Sequence, residues 1–119
     1  MHITKEIYTS TQKIFNGGGV KMQINKSVEA EAMTVEIVGA INYEGAKELK
    51  QFFDSVYDEV IQMTIDMSQA DYVSSAGMRV ILEAELAMKN KDGLILINVN
   101  QMVMEAMHIA GFDKFLNIK

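Results

Sequence analysis

Leu94-Ile95-Leu96-Ile97-Asn98-Val99 is the strongest strand signal in the chain. A continuous apolar run of this kind reads as a strand covered on both faces, as in a parallel sheet wrapped by helices. Helical segments flank it. The earlier one opens near Ser75 or Ala76 and runs to about Asn90. Lys89 and Lys91 sit near its end, where the helix dipole favours cations, and Gly93 follows as a stop. The later one covers about Gln101 to Ile109, with Gly111 as its stop. Upstream, Met22 to Asn25 and Met33 to Val38 alternate in polarity, as strands do. Asn42 follows Gly39-Ala40-Ile41 and is placed to cap a helix. That helix carries Ala46, Leu49, Phe53, Val56 and Val60 on one face. Ile61 to Met67 reads as a buried strand, Ser68 to Ser75 as a polar loop, and Phe112 to Ile118 as a short ending with room for a last strand. The βαβ-like order predicts an α/β fold: a single domain with a small mixed β-sheet and helices packed on it.

The length of 119 residues fits one domain, and 49% hydrophobic with 23% charged residues is a globular composition. Without cysteine there is no disulfide framework and no thiolate zinc site. His2 and His108 are the two histidines, so no metal site is expected. His108 lies beside Met104 and Met107 and reads as packing rather than as a base. A net charge of −5 disfavours a phosphate backbone as partner, so no direct nucleic-acid binding is expected. No apolar run approaches a membrane span, and the start lacks the pattern of a secretory signal. The expectation is a cytoplasmic protein with no membrane contact. Its ten methionines read mainly as core fillers.

Residues 1–21 read differently from the rest. They show no sustained period and end in Gly17-Gly18-Gly19, a joint with wide backbone freedom. Two readings follow: an N-terminal extension on a flexible linker, or translated leader ahead of a natural start at Met22. A purine-rich run across those glycine codons would mark the second. The domain proper is then residues 22–119.

The segment that carries chemistry runs from Asp66-Met67-Ser68 through Tyr72-Val73 to Ser74-Ser75-Ala76-Gly77-Met78-Arg79. It leads from a buried strand into a helix, where ligands on such sheets collect. Helix capping is the simpler role for either serine. Met78, Leu82 and Leu86 form a second apolar stripe, read either as packing against another helix or as a docking patch, with Met78 as an adaptable anchor and Arg79 as a charged contact. Arg79 can pair with Glu83 or with a phosphate on Ser75. No nucleotide loop or hydrolase elbow is present, and no lysine follows Val99 as a receiver site needs. No cofactor is expected.

These residues resemble the signature of the STAS domain family, found in bacterial anti-sigma factor antagonists and in sulfate transporter tails. The family pattern runs Asp-x-Ser, an apolar pair, then Asp-Ser-Ser/Thr-Gly-Leu-Gly. Asp66-Met67-Ser68, Tyr72-Val73 and the hexad from Ser74 to Arg79 match it in order. Gly39-Ala40-Ile41-Asn42 and Ala110-Gly111-Phe112 resemble flanking motifs. Ser74, Ala76 and Arg79 stand where the family has Asp, Ser or Thr, and Gly. The resemblance implies a non-enzymatic switch protein. Its unphosphorylated form would bind an anti-sigma serine kinase and so release a sigma factor, and a serine phosphatase would reset it. It implies Ser75 as the phosphorylated residue, with Ser74 as second choice. Ser74, Ala76, Gly77, Met78, Arg79, Leu82 and Asn42 would meet the partner, and Asp66 and Ser68 would support the loop. A scaffold module without a phosphorylation cycle is the alternative. A small enzyme or ligand-binding protein using a pocket above the strand ends is a third reading.

Overall fold

In the computed structural model, which describes residues 7–16 and 19–119, the sheet has six strands. They are β1 (Ile7–Asn16), β2 (Gly19–Glu29), β3 (Ala32–Ile41), β4 (Gln62–Asp66), β5 (Ala70–Val73) and β6 (Gly93–Ile97). Three helices alternate with the later strands: α1 (Tyr43–Val56), α2 (Ser75–Met88) and α3 (Gln101–Ala110). The strand order is β1-β2-β3-β4-β6, and β5 pairs with β3 beyond the end of β4. The β1–β2 and β2–β3 pairs are antiparallel, and the β3–β4, β3–β5 and β4–β6 pairs are parallel. The mixed sheet expected from the sequence is therefore present, with helical crossovers where strands run parallel.

Pleating sorts the strands' residues into two sets. Met22, Ile24, Met33, Val35, Ile37, Met63, Ile65, Leu94 and Leu96 are buried. Their alternates Thr34, Gln62, Thr64, Ile95 and Ile97 are half-buried or exposed. The expectation that Leu94 to Val99 is covered on both faces therefore fails: β6 alternates like its neighbours. Its apolar alternates Ile95 and Ile97 hide the period from the sequence.

From α1, Leu49, Phe53 and Val56 join the core, and from α2, Gly77, Val80, Ile81, Ala84 and Met88 are buried. The two helices also pack on each other. At Gly77, α2 comes close to the sheet. A Cβ there would lie 2.7 Å from Ile41 Cγ2 and 3.0 Å from Val73 Cγ1. Lys91, beyond the end of α2, donates to the carbonyls of Tyr57 and Val60 and ties the close of the first crossover to the close of the second.

Three further expectations are corrected. The segment before Met22 is not without regular structure, because β1 pairs with β2 from Ile7 to Asn16. Met22 itself lies within β2, which begins at Gly19. Among positions 9–15 of β1 only Ile14 is buried, so no burial period exists for the sequence to display. Gly17, Gly18 and His2 lie outside the described residues. The Ser68 to Ser75 loop contains the four-residue strand β5, too short to show alternation. The ending is a 3-10 turn over Phe112–Phe115, after which Ile118 makes a single parallel bridge to Leu96.

Candidate switch site at the start of the second helix

The carboxyl ends of β3 and β5 lie side by side, with Ile41 opposite Val73. Each strand passes at once into a helix, so α1 and α2 begin next to one another. The Ser74 N–H donates to the Ile41 carbonyl at 2.8 Å and fixes this juxtaposition. Both helices are capped by the same device. The Asn42 side chain accepts from the Gly45 N–H at 2.8 Å, and Ser74 Oγ accepts from the Gly77 N–H at 3.0 Å. Each satisfies one of the orphan donors that every helix start carries.

The two serines therefore divide the work. Ser74 is the cap, with extended backbone at φ −72° and ψ 167°. Ser75 is the first residue of α2 and is exposed. Its hydroxyl makes no hydrogen bond among the described residues. Ala76 is half-buried, Gly77 is buried, and Arg79 is exposed one turn further along.

Met78 does not fit the expected anchor. It is 4% exposed and belongs to the core. The second stripe of α2 is chiefly a packing face: Leu82 is half-buried, and only Leu86 is open to solvent. Arg79 also differs from one expectation. Glu83 pairs with Lys50 of α1 at 3.4 Å instead.

Asp66 and Ser68 form a separate cluster. Asp66 ends β4, and its Oδ1 accepts from the Ser68 N–H at 2.9 Å and from the Asn98 amide at 3.2 Å. Partial burial works against its charge, but the bonds from Ser68 and Asn98 outweigh this and hold its carboxyl below the usual range. The pair shapes the turn into β5, and the Met67 N–H reaches the Ile97 carbonyl. Neither residue bonds to Ser74 or Ser75.

Asn100 and Tyr43 were not singled out from the sequence. Asn100 caps α3 through the Val103 N–H at 2.8 Å, and its amide also donates to the Ala70 carbonyl at 2.8 Å. It thereby holds α3 beside β5. An asparagine just before a helical segment was the available signal, as at Asn42. Tyr43 and Tyr72 are 63% and 52% exposed, one opening α1 and the other on β5. Lys47 lies over the Tyr43 ring, 4.7 Å from its centre. His108 corrects the packing expectation: its side chain is exposed, and Nδ1 lies 2.7 Å from Asp113 Oδ2.

Among the described residues no three or more His, Cys, Asp or Glu side chains gather as a metal site would need. No helix among them is long and apolar enough to cross a membrane. What the site offers is an exposed hydroxyl at a capped helix start. That arrangement suits covalent modification and protein contact.

The chain also resembles known proteins. The sequence model of the STAS domain matches residues 20–119. BtrV of Bordetella bronchiseptica, assigned as an anti-sigma factor antagonist, is 30% identical over 76 residues. That match covers 62% of this chain and 66% of BtrV, just under two thirds of its length. An anti-sigma factor antagonist from Mycobacterium paratuberculosis has a similar fold, with a TM-score of 0.68 at 18% identity over 95% of this chain and 85% of its own. Bacillus SpoIIAA matches in its unphosphorylated form, with a TM-score of 0.63 at 13% identity over 77% of this chain and 82% of its own. Its phosphorylated form matches with a TM-score of 0.61 at 13% identity, over 77% and 86%.

Proposed function

The chain belongs to the STAS domain family, and from that membership we propose that it is an anti-sigma factor antagonist switched by phosphorylation of Ser75. One observation carries the reading. Ser75 stands exposed at the first position of α2 while Ser74 supplies the cap, so the hydroxyl is free of structural duty.

The unmodified protein would bind an anti-sigma factor with serine kinase activity. The kinase would transfer the terminal phosphoryl group of ATP to Ser75 Oγ. The new bond joins oxygen to phosphorus, the bond to ADP breaks, and the hydroxyl proton passes to a base on the kinase. A serine phosphatase would return the hydroxyl by hydrolysis. In this reading the chain is not an enzyme, holds no cofactor and works in the cytoplasm.

The physics favours release without unfolding. A phosphate adds about −1.5 to −2 charge at neutral pH. The helix N-terminus tolerates it, because its free N–H groups and dipole favour anions. A partner surface shaped for a hydroxyl would have to bury that charge unpaired, at a cost of about 3–5 kcal/mol. This corresponds to roughly two to four orders of magnitude in affinity. Tyr43, Tyr72, Ala76 and Arg79 offer side chains to such a partner at this end. Asn42, Ser74 and Gly77 hold the surface in place, and the buried Met78 supports it from below.

The test is a pull-down from lysate of the source organism, with wild type, Ser75→Ala and Ser75→Asp as baits. The expected result is a serine kinase retained by wild type and Ser75→Ala and lost by Ser75→Asp. If all three retain the same non-kinase proteins, the chain is a scaffold and the switch reading fails.

A further inference from the structure

The second helix carries a cation that the fold leaves unused. Arg79 is exposed and forms no ion pair or hydrogen bond among the described residues. Its natural helical partner, Glu83 at i+4, is engaged by Lys50 at 3.4 Å. Lys50 in turn lies 3.3 Å from Asp54. Lys47 on α1 sits over the Tyr43 ring. Other charged groups near this end are Glu44 in the first turn of α1, Asp71 on β5 and Lys21 on β2 beside Gly39. Arg79 is the only charged residue from Ser75 to Leu82.

One turn before Arg79, at i−4, stands Ser75. Both are exposed, and residues four apart on a helix share a face with Cβ atoms about 5–6 Å apart. We propose that Arg79 is the built-in counter-ion of phosphorylated Ser75: its guanidinium grips the phosphate along the helix and holds it against the first turn of α2. An anion placed N-terminal to its cation is the favoured order at this spacing. The planar guanidinium fork matches phosphate oxygens two at a time, which a lysine cannot do. The Lys50–Glu83 pair belongs to the device, because it removes the carboxylate that would otherwise compete for Arg79. This inference rests on the reading of Ser75 as the modified residue and adds how the mark is held.

The test does not need the kinase. Phosphoserine is placed at position 75 of the full chain by genetic encoding, and the phosphorus NMR shift is followed against pH. In the otherwise wild-type chain the second phosphate pKa is expected below its ordinary value of about 6. Arg79→Gln is expected to raise it by about half a unit, roughly a threefold change in proton affinity. Arg79→Lys should fall between the two. Lys50→Gln, which frees Glu83 to take Arg79, should also raise it part of the way. A pKa unmoved by Arg79→Gln overturns the clamp. The pull-down tests the switch independently: Ser75→Asp that keeps the kinase overturns the switch, and the phosphorus titration still decides the clamp.

Discussion

Ser74 and Ser75 are neighbours of the same residue type, and their environments predict opposite phenotypes. Ser74→Ala removes the acceptor for the Gly77 N–H. It should lower stability by about 1 kcal/mol, read as a fall in urea midpoint at constant slope. Ser75→Ala removes a hydroxyl without a partner and should stay within about 0.5 kcal/mol of wild type. If Ser75→Ala proves the more destabilising, the division of labour between them is wrong. The sequence marked both serines as cap candidates. It could not choose, because cap preference follows residue type, whereas the choice follows backbone angle and hydrogen-bond partner. Asp66 yields a pH prediction. Its folded pKa lies below the ordinary value, so its contribution is complete above the unfolded pKa of about 4 and is lost as pH falls through the folded value. Asp66→Asn should therefore be less stable than wild type at neutral pH, and the gap should close in acid. Denaturation series between neutral pH and pH 3 check this. A gap constant across that range would remove the carboxylate from the account.

At the scale of elements, the sequence located all three α-helices and four of the six strands, β2 and β3 by alternation and β4 and β6 as apolar runs. The apolar residues of α1 meet a single core, and the sequence pattern shows it. The pattern was less informative for α2, where buried Met78 and half-buried Leu82 form a second stripe. A helix wedged between a sheet and another helix and a helix offering a docking face share one sequence pattern, and only burial separates them. The same wedge makes Gly77 a packing residue. Gly77→Ala should gain helix propensity of up to about 1 kcal/mol and lose more to overlap with Ile41 and Val73. Its thermal midpoint should fall, and a rise would show that Ile41 yields freely. The β2–β3 turn holds the opposite case. Ala30 sits at φ 56°, in the left-handed region that suits glycine. Ala30→Gly should raise stability by about 0.5–1 kcal/mol, and a loss there would show that the turn relaxes at no cost.

The whole molecule is a sheet with one set of side chains packed in the core and the alternate set half-buried or open. At its edge β1 spends ten residues on hydrogen bonding, with Ile14 as the buried side chain among positions 9–15. Such a strand leaves no trace in hydropathy, which is why the N-terminal segment read as featureless. The end that carries the candidate site is built the other way. There the start of α2 is tied to β3 through Ser74 and Ile41, capped through Gly77, and pressed on the core by Met78. A side chain on so firm a mount has nowhere to relax when its chemistry changes. Under the proposed switch, the fold would be a passive page, and how long a message stays on it would be set by the enzymes that write and erase it.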